Sequence, residues 1–228
     1  MRRGVGALKA AVPVKDLICL VEKQLDHLFL YDGKKERNLL ASAVGKALGK
    51  TAVNFSRIRN KYYRKGGEVY FNPFHSGQYT VFLYYLSRVL REYEAFSLAE
   101  RIYYLNKVLN AVDLYYEVEL PDFFFLDHPM GTVLGRAVYA DDFVFSQHIT
   151  VGNNHDIFPV FEERVSLLAG AVVIGNCRIG RNTIVSAGSF IKDEDIPANS
   201  LVFGRSPQLV IKTKPESYFD EYFHATFS

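Results

Sequence analysis

The segment LLAGAVVIGNCRIGRNTIVSAGSFI, residues 167–191, repeats with a period of six residues. One large apolar residue recurs in each hexad, and this column is Phe161, Leu167, Val173, Ile179, Val185 and Ile191. A second column, four places on, holds smaller residues: Val165, Ala171, Cys177, Thr183 and Ser189. Gly170, Asn176, Asn182 and Gly188 lie between the columns, and Gly and Asn adopt left-handed backbone conformations at low cost. Each hexad therefore predicts a short strand and a corner, with the large residue inside.

Residues before 161 extend the repeat with irregularities. Ile149 and Phe143 continue the large-residue column backwards, and His155 is its one polar member. Three leucines follow the same period one residue out of phase: Leu114, Leu120 and Leu126. We therefore expect a single-residue slip between residues 126 and 143. A β-sandwich, with its period of two, does not place Gly or Asn at every sixth position.

The first half of the chain has a different pattern. From about residue 14 to 111 apolar residues recur at intervals of three and four, as in LICLVEKQLDHLFL, residues 17–30. This spacing is typical of helices. Breaks are expected at residues 31–35, 65–67 and 72–78, which contain Gly or Pro. The pattern predicts four or five helices.

Composition restricts the class of protein. The chain has 228 residues, of which 49% are hydrophobic and 14% aromatic, enough for a packed core. No uncharged apolar stretch approaches the roughly 20 residues of a membrane span, and the first residues do not resemble a cleaved signal, so we expect a cytoplasmic protein that binds no membrane. Cys19 and Cys177 lie far apart and predict neither a disulfide framework nor a zinc cluster; both are expected to be buried.

Charge is unevenly distributed along the chain. Residues 1–112 carry 19 Lys and Arg against 9 Asp and Glu, whereas residues 113–228 carry 8 against 16. The segment RIRNKYYRK, residues 57–65, places tyrosines among cations as some single-stranded nucleic-acid sites do. No nucleic-acid-binding motif accompanies it. We therefore interpret these charges as a solvated helix face and expect no nucleic-acid partner.

The repeat resembles that of the hexapeptide-repeat acyltransferases, and within that superfamily it is similar to serine O-acetyltransferase over about residues 98–211. Four segments carry the resemblance: residues 113–137, with the element LDHPMG; residues 146–152, SQHITVG; residues 167–191; and residues 202–207, VFGRSP. The resemblance implies an α+β fold in which a left-handed parallel β-helix follows a helical domain. We place the α-helical domain at 1–111, the β-helix acyltransferase domain at 112–211 and a C-terminal tail at 212–228.

The resemblance also implies roles for an acid–base group. His128 corresponds to the catalytic base, Asp113 to the acid that orients it, and Asp127 to a residue that contacts the acceptor. Three hexads make a coil of about 18 residues, so Asp113 and His128 are expected on adjoining coils. Coils stack at about 4.7–4.9 Å, which suits a side-chain hydrogen bond. In the implied reaction, acetyl passes directly from acetyl-CoA to a hydroxyl or amine of a small polar acceptor, and no metal takes part.

Coenzyme binding and assembly follow from the same resemblance. Small residues that let the pantetheine arm approach the coils, and cations for its phosphates, are Gly152, Asn153, Ala169, Ala187, Gly188, Lys192 and Arg205. Small residues also suit coil corners without any ligand, and at Gly188 the two explanations have equal weight. In the family the arm lies between subunits, so the resemblance implies a homotrimer or a dimer of trimers.

The acceptor is where the chain departs from the family. The family's long loop, with its Arg-His-Pro element, is replaced by GNNHDIFPV, residues 152–160, which has no arginine. An acid before a proline in the helical domain is replaced by Asn72. These changes argue against free L-serine and leave a sugar or nucleotide sugar as the alternative. Asn72, His75 and His155 are candidate acceptor ligands, and His155 and His148 are alternative bases. The alternative function, of a different class, is a catalytically silent trimeric scaffold.

Overall fold

The computed structural model describes residues 8–215, 222 and 223. The chain divides into two compact units, Met1–Asn110 and Ala111–Ser228. The first is mainly helical and the second is built from short parallel strands. The fold class predicted from the sequence, an α-helical domain followed by a left-handed parallel β-helix, is confirmed. The exact domain limits, 1–111, 112–211 and 212–228, stay a prediction.

Four α-helices form the first unit: α1 Val14–Leu28, α2 Gly33–Ser56, α3 Ser76–Glu92 and α4 Phe96–Asn110. Leu17, Val21 and Leu25 recur every fourth residue of α1 and are buried, as their spacing predicts. The predicted break at residues 31–35 begins α2, because the Asp32 carboxylate accepts the N–H of Lys34 at 3.1 Å. Cys19 is only half-buried, contrary to expectation, because its helix position lies off this apolar stripe.

A small sheet in the helical unit was not predicted from the sequence. Its strands are β1 Lys9–Ala10, β2 Arg64–Lys65 and β3 Glu68–Phe71, in the order β1-β3-β2. The predicted break at residues 65–67 is the turn between β2 and β3, where Gly66 and Gly67 have φ angles of 63° and 83°. Strands of two to four residues are too short to show a period-two pattern, which explains the omission.

The second unit winds its strands into coils with three faces. Face A contains β4 Asp113–Leu114, β6 Val133–Leu134, β9 Thr150–Gly152, β12 Val172–Ile174 and β15 Phe190–Lys192. Face B contains β7 Val138–Tyr139, β10 Val160–Phe161 and β13 Arg178–Ile179. Face C contains β5 Phe124–Leu126, β8 Phe143–Phe145, β11 Ser166–Leu167 and β14 Ile184–Val185. All these pairings are parallel. Strand β16, Ser200–Arg205, continues from face C to face A and forms an antiparallel hairpin with β17 Gln208–Thr213.

The interior of the coils follows the six-residue period. Every residue of the two columns predicted from residues 161–191 is at most 2% exposed. The predicted extension to Ile149 and Phe143 is wrong in register, because Thr150 pairs with Val172, 22 residues on, around an inserted hairpin. Val151 and Phe145 therefore continue the large column. Ile149 and Phe143 are buried in the column of small residues, next to Ala171 and Val165.

Left-handed residues stack at the coil corners as predicted, with one correction. At the corner between faces B and C they are Asp142, Arg164, Asn182 and Asn199, and we call this set the asparagine corner. At the corner between faces C and A they include Gly131, His148, Gly170 and Gly188. Between faces A and B the left-handed residues include Gly175, with a φ of 82°, and Asp193, with a φ of 51°, whereas the predicted Asn176 is not left-handed. The turn tightens there because the N–H of Cys177 donates to the carbonyl of Gly175 at 2.9 Å.

Candidate active site

The Asp127–His128 pair lies on a turn between β5 and β6. The N–H of Asp127 donates to Phe145 O on the next coil at 2.9 Å, and the N–H of Met130 donates to His128 O at 2.8 Å. His128 has a φ of 51° and is held in the left-handed region by this turn. Its side chain is 89% exposed, and its Nε2 lies 3.8 Å from Oδ1 of Asp127. An exposed imidazole on a hydrogen-bonded turn is accessible to a substrate proton.

Asp113 lies at the start of β4, opposite the end of the same turn. Its N–H donates to Thr132 O at 2.9 Å, and its register partner is Val133, 20 residues on. This first coil is two residues longer than the 18 expected from three hexads. Asp113 is half-buried and lies next to residues 132 and 133, which follow His128 by four and five positions. The hydrogen bond between Asp113 and His128 stays a prediction.

A second turn lies directly on the first. Thr132 is 1% exposed, and its hydroxyl donates to Ser146 O at 2.8 Å and accepts the N–H of Ile149 at 3.1 Å. The N–H of His148 donates to Met130 O at 3.0 Å. We call the two stacked turns, residues 127–132 and 146–149, the histidine corner. Thr132 was not identified from the sequence. It occupies the column of small residues, as Thr183 does, and this position could have identified it.

The candidate coenzyme residues lie along face A and at the corner between faces C and A. Gly152, Ile174 and Lys192 lie in one row across three coils of face A. Arg205 follows on the same face, opposite Phe190, with its guanidinium carbon 4.8 Å from the centroid of that ring. Lys192 and Arg205 therefore place two cations at the same end of face A. Their role in coenzyme binding stays a prediction.

The remaining coenzyme candidates lie at turns. Ala169 and Ala187 precede the left-handed Gly170 and Gly188, and the N–H of Gly188 donates to Ala169 O at 2.9 Å. A β-carbon at Gly188 would meet no atom within 4 Å, so its φ of 71°, rather than crowding, accounts for glycine there. Asn153 is exposed at the start of the inserted hairpin.

The inserted hairpin, residues 154–157, lies between β9 and β10. Asn154 and Ile157 exchange two backbone hydrogen bonds of 3.1 Å, and His155 and Asp156 between them have φ angles of 51° and 60°. This combination is a type I′ turn. The Asn154 amide donates to Asp193 at 2.6 Å, which ties the hairpin to a later coil. His155 is therefore exposed at the tip of a short, anchored turn.

Asn72 and His75, the other candidate acceptor ligands, lie in the helical unit and have structural contacts there. Oδ1 of Asn72 accepts the N–H of Phe74 at 3.0 Å. Nδ1 of His75 accepts the N–H of Gln78 at 3.3 Å and caps α3. The structure thus assigns each side chain a local role, in a turn and in a helix cap. Their predicted contact with an acceptor is a separate property that stays a prediction.

Two properties of the described residues concern nucleophilic cysteine chemistry and metal binding. Burial raises the pKa of the Cys177 thiol, whose sulfur lies 3.2 Å from Ile174 O, so this cysteine is not an activated nucleophile. Within residues 8–215, 222 and 223, no group of three or more His, Cys, Asp or Glu side chains could hold a metal ion.

No helix among the described residues combines the length and hydropathy needed to span a bilayer.

Curated proteins with similar sequences include serine acetyltransferases. The chain is 32% identical over 127 residues to the serine acetyltransferase of Salmonella typhimurium, a match that covers 51% of this chain and 46% of that protein. It is 29% identical over 115 residues to the serine acetyltransferase of Synechococcus elongatus, with 48% of this chain and 47% of that protein covered. The chain therefore spans about half the length of the curated relatives it matches. No protein-family profile matches it.

Solved structures with the same fold carry the same description. The Neisseria gonorrhoeae serine acetyltransferase superposes with a TM-score of 0.67 at 19% identity, covering 89% of this chain and 80% of that one. A serine acetyltransferase in complex with CoA superposes with a TM-score of 0.61 at 19% identity, covering 77% of this chain and 74% of that one. At this identity the likeness concerns the fold. Together with the sequence matches, it confirms the resemblance predicted from the hexads.

Proposed function

We propose that the protein is an acetyl-CoA-dependent acyltransferase that transfers an acetyl group directly to a hydroxyl or amine of a small polar acceptor, with His128 as general base. The observation that carries this proposal is the exposed His128 imidazole beside Asp127, on a turn held to the next coil. The matched segments of serine acetyltransferases support it. The proposed assembly is a homotrimer or a dimer of trimers, as the family resemblance implies.

His128 has one chemical task in each half of the reaction. Its free ring nitrogen accepts the proton of the acceptor as the acceptor attacks the thioester carbonyl of acetyl-CoA. The tetrahedral intermediate then collapses, the carbon–sulfur bond breaks, and the imidazolium returns the proton to the leaving thiolate. A general base of this kind contributes about a hundred- to ten-thousandfold to the rate. Since the step needs no covalent intermediate, the buried Cys177 has no role in it.

The carboxylates near His128 have different proposed roles. Asp113, half-buried beside residues 132 and 133, would orient the imidazole and favour the correct tautomer. Asp127 is 51% exposed and would contact the acceptor. Acetyl-CoA would lie along face A, with its phosphates near Lys192 and Arg205. Guanidinium and ammonium groups bind phosphates by charge-assisted hydrogen bonds.

The acceptor we propose is a sugar or nucleotide sugar rather than free L-serine. The hairpin of residues 154–157 is short and anchored to Asp193, and it carries no arginine for a carboxylate. Asn72, where the family offers an acid for the substrate amine, is a neutral side chain. A zwitterion would therefore lack both partners for its charges, whereas the hydroxylated ring of a sugar or nucleotide sugar has no carboxylate and ammonium pair that needs them.

A panel assay tests the proposal. Thiol release from acetyl-CoA is measured with serine, homoserine, amino sugars and nucleotide amino sugars, using wild type, His128→Ala and the matched control His27→Ala. His27 is an exposed histidine in the last turn of α1. We expect turnover with at least one acceptor, loss of a hundredfold or more in His128→Ala, and no change in His27→Ala.

Three outcomes would contradict parts of the proposal. Turnover that survives in His128→Ala would remove His128 as the base. Serine as the preferred substrate would refute the sugar assignment. Absence of turnover with every acceptor, together with no CoA binding by calorimetry, would favour the silent trimeric scaffold.

A further inference from the structure

The imidazole of His148 lies on the backbone of Gly131. A β-carbon built at Gly131 would collide with Nδ1 of His148 and lie 2.7 Å from its Cε1. Gly131 has a φ of 75° and is three residues beyond His128 on the same turn. The absence of a side chain at residue 131 therefore makes room for the ring of residue 148. The ring therefore contacts, at Gly131, the turn that carries the proposed base, and both Gly131 and His148 remain exposed.

Backbone and hydroxyl contacts hold the two turns together. His148 donates its N–H to Met130 O at 3.0 Å, and Thr132 bridges Ser146 O and the N–H of Ile149. Gly131 in turn donates its N–H to Ala111 O at 2.8 Å on the preceding coil. The turn of residues 127–132 is thus hydrogen-bonded to the coils before and after it, and the His148 ring of the following coil contacts it at Gly131.

The corner itself does not require a histidine at residue 148. The equivalent positions on the next two coils are Gly170 and Gly188, with φ angles of 72° and 71°. His148 adopts a φ of 56° in the same column, a conformation that glycine adopts at lower cost than a residue with a β-carbon. Glycine would fit this backbone, and the residue present differs from Gly170 and Gly188 in having a ring that contacts the preceding coil at Gly131.

We propose that His148 is a positioning residue for His128: its ring packs on Gly131 and holds the turn in the geometry that presents His128 to the substrate. The expected effect of His148 on turnover rests on the function proposed above, whereas the contact between its ring and Gly131 does not. Misplacement of a reacting group by about 1 Å can reduce a rate a hundredfold, so a ring that holds this turn is able to affect turnover.

The kinetic test uses two substitutions at residue 148. His148→Gly removes the ring and suits the left-handed backbone, so we expect kcat to fall about tenfold or more. We expect its KM for acetyl-CoA and its melting temperature to be no worse than those of wild type. His148→Phe keeps a ring over Gly131 without a titratable nitrogen, so we expect most of kcat to return, with a lower melting temperature. Glu94→Gly, a left-handed residue in the helical unit, is the matched control and should leave kcat unchanged.

A second measurement does not depend on activity. Amide hydrogen exchange by NMR is compared in wild type, His148→Gly and His148→Phe at Met130 and Gly131, whose N–H groups bond to His128 O and Ala111 O. We expect faster exchange at both amides in His148→Gly and near-normal exchange in His148→Phe. A double variant, Gly131→Ala with His148→Gly, should lose less kcat than the two single losses combined, because the steric clash is gone.

The outcomes separate this inference from the proposed function. If wild type shows no turnover, the proposed function fails, and the exchange rates alone decide the positioning role. Unchanged exchange at Met130 and Gly131 in His148→Gly would overturn the inference. So would full kcat in His148→Gly, or an equal loss in His148→Gly and His148→Phe, which would show that the ring does not act by packing.

Discussion

The asparagine corner and the histidine corner meet the same backbone demand with different side chains. At the asparagine corner, Asn182 is 1% exposed, its amide donates to Asn199 Oδ1 at 2.7 Å, and its carbonyl accepts Lys214 Nζ at 2.6 Å. At the histidine corner, the His128 side chain is 89% exposed. Polar atoms that bond along the stack stabilise the coils, whereas a side chain directed to solvent is free to meet a substrate. A left-handed residue thus indicates a corner, and its contacts indicate the task.

Substitution at the histidine corner has the largest expected effect. In His128→Asn the new residue suits the left-handed backbone, so the melting temperature should stay within error of wild type. Turnover in the thiol-release assay should fall by a hundredfold or more, because the proposed base is lost. Equal losses of stability and activity would mean that residue 128 acts structurally, as at the asparagine corner.

The converse substitution at the asparagine corner should cost stability instead. Asn182→His keeps a residue that tolerates the left-handed region but loses the contacts with Asn199 and Lys214. Leaving the buried Lys214 ammonium without this acceptor should reduce the free energy of unfolding by about 1–3 kcal/mol. Urea unfolding followed by circular dichroism measures this change. Turnover per folded molecule should be unchanged, and a selective loss of turnover would break the distinction between the corners.

At the corner between faces A and B, one side chain combines a structural contact with support of a candidate site residue. Asp193 accepts the N–H of Asn176 at 2.8 Å and the Asn154 amide at 2.6 Å, so it supports both a coil and the hairpin that carries His155. Asp193→Ala should lower the free energy of unfolding by about 1 kcal/mol and accelerate amide exchange at residues 154 and 157. If His155 contacts the acceptor, the acceptor KM rises more than the acetyl-CoA KM. Unchanged exchange would show that the hairpin needs no anchor.

The smallest expected effect is a pH dependence at Glu162, next to the asparagine corner. The N–H of Arg181, together with the Arg178 guanidinium, lowers the pKa of Glu162 below its usual value. The stabilisation is therefore present above the unfolded-state pKa, about 4.3, and is lost as pH falls through the folded-state pKa. The stability difference between wild type and Glu162→Gln should be below about 1 kcal/mol at pH 7 and vanish in acid. Urea titrations from pH 7 to 3 measure it, and a difference that grows in acid would contradict this sign.

Prediction from the sequence succeeded where the repeat is regular and failed where an insertion shifts it. The columns from Phe161 to Ile191 were correct because each coil there has 18 residues. The extension to Ile149 and Phe143 failed because the hairpin adds residues whose number cannot be inferred from a period. The sheet formed by β1, β2 and β3 was missed for a related reason, since its strands are too short for a pattern.

Parts of the candidate site could be identified from the sequence and parts could not. The LDH element drew attention to Asp127 and His128, because titratable residues at the end of an apolar strand are unusual. Thr132 and Gly131 drew none, because their roles depend on Ser146, Ile149 and His148. Those residues lie 14 to 17 positions beyond the residues they contact and meet the first turn only when the coils stack.

The amino-acid sequence by itself determined the coiled architecture and its interior. A large apolar residue at every sixth position, with Gly or Asn at the corners, can be buried on all three faces only if the strands wind around one axis. The tertiary structure alone decided the register of each coil and which side chains face one another across the stack. The reason is that a contact between coils depends on the exact number of residues in the coil between them, and that number ranges from 17 to 22 along face A from Val133 to Phe190. The contact of the His148 ring with Gly131 is one example.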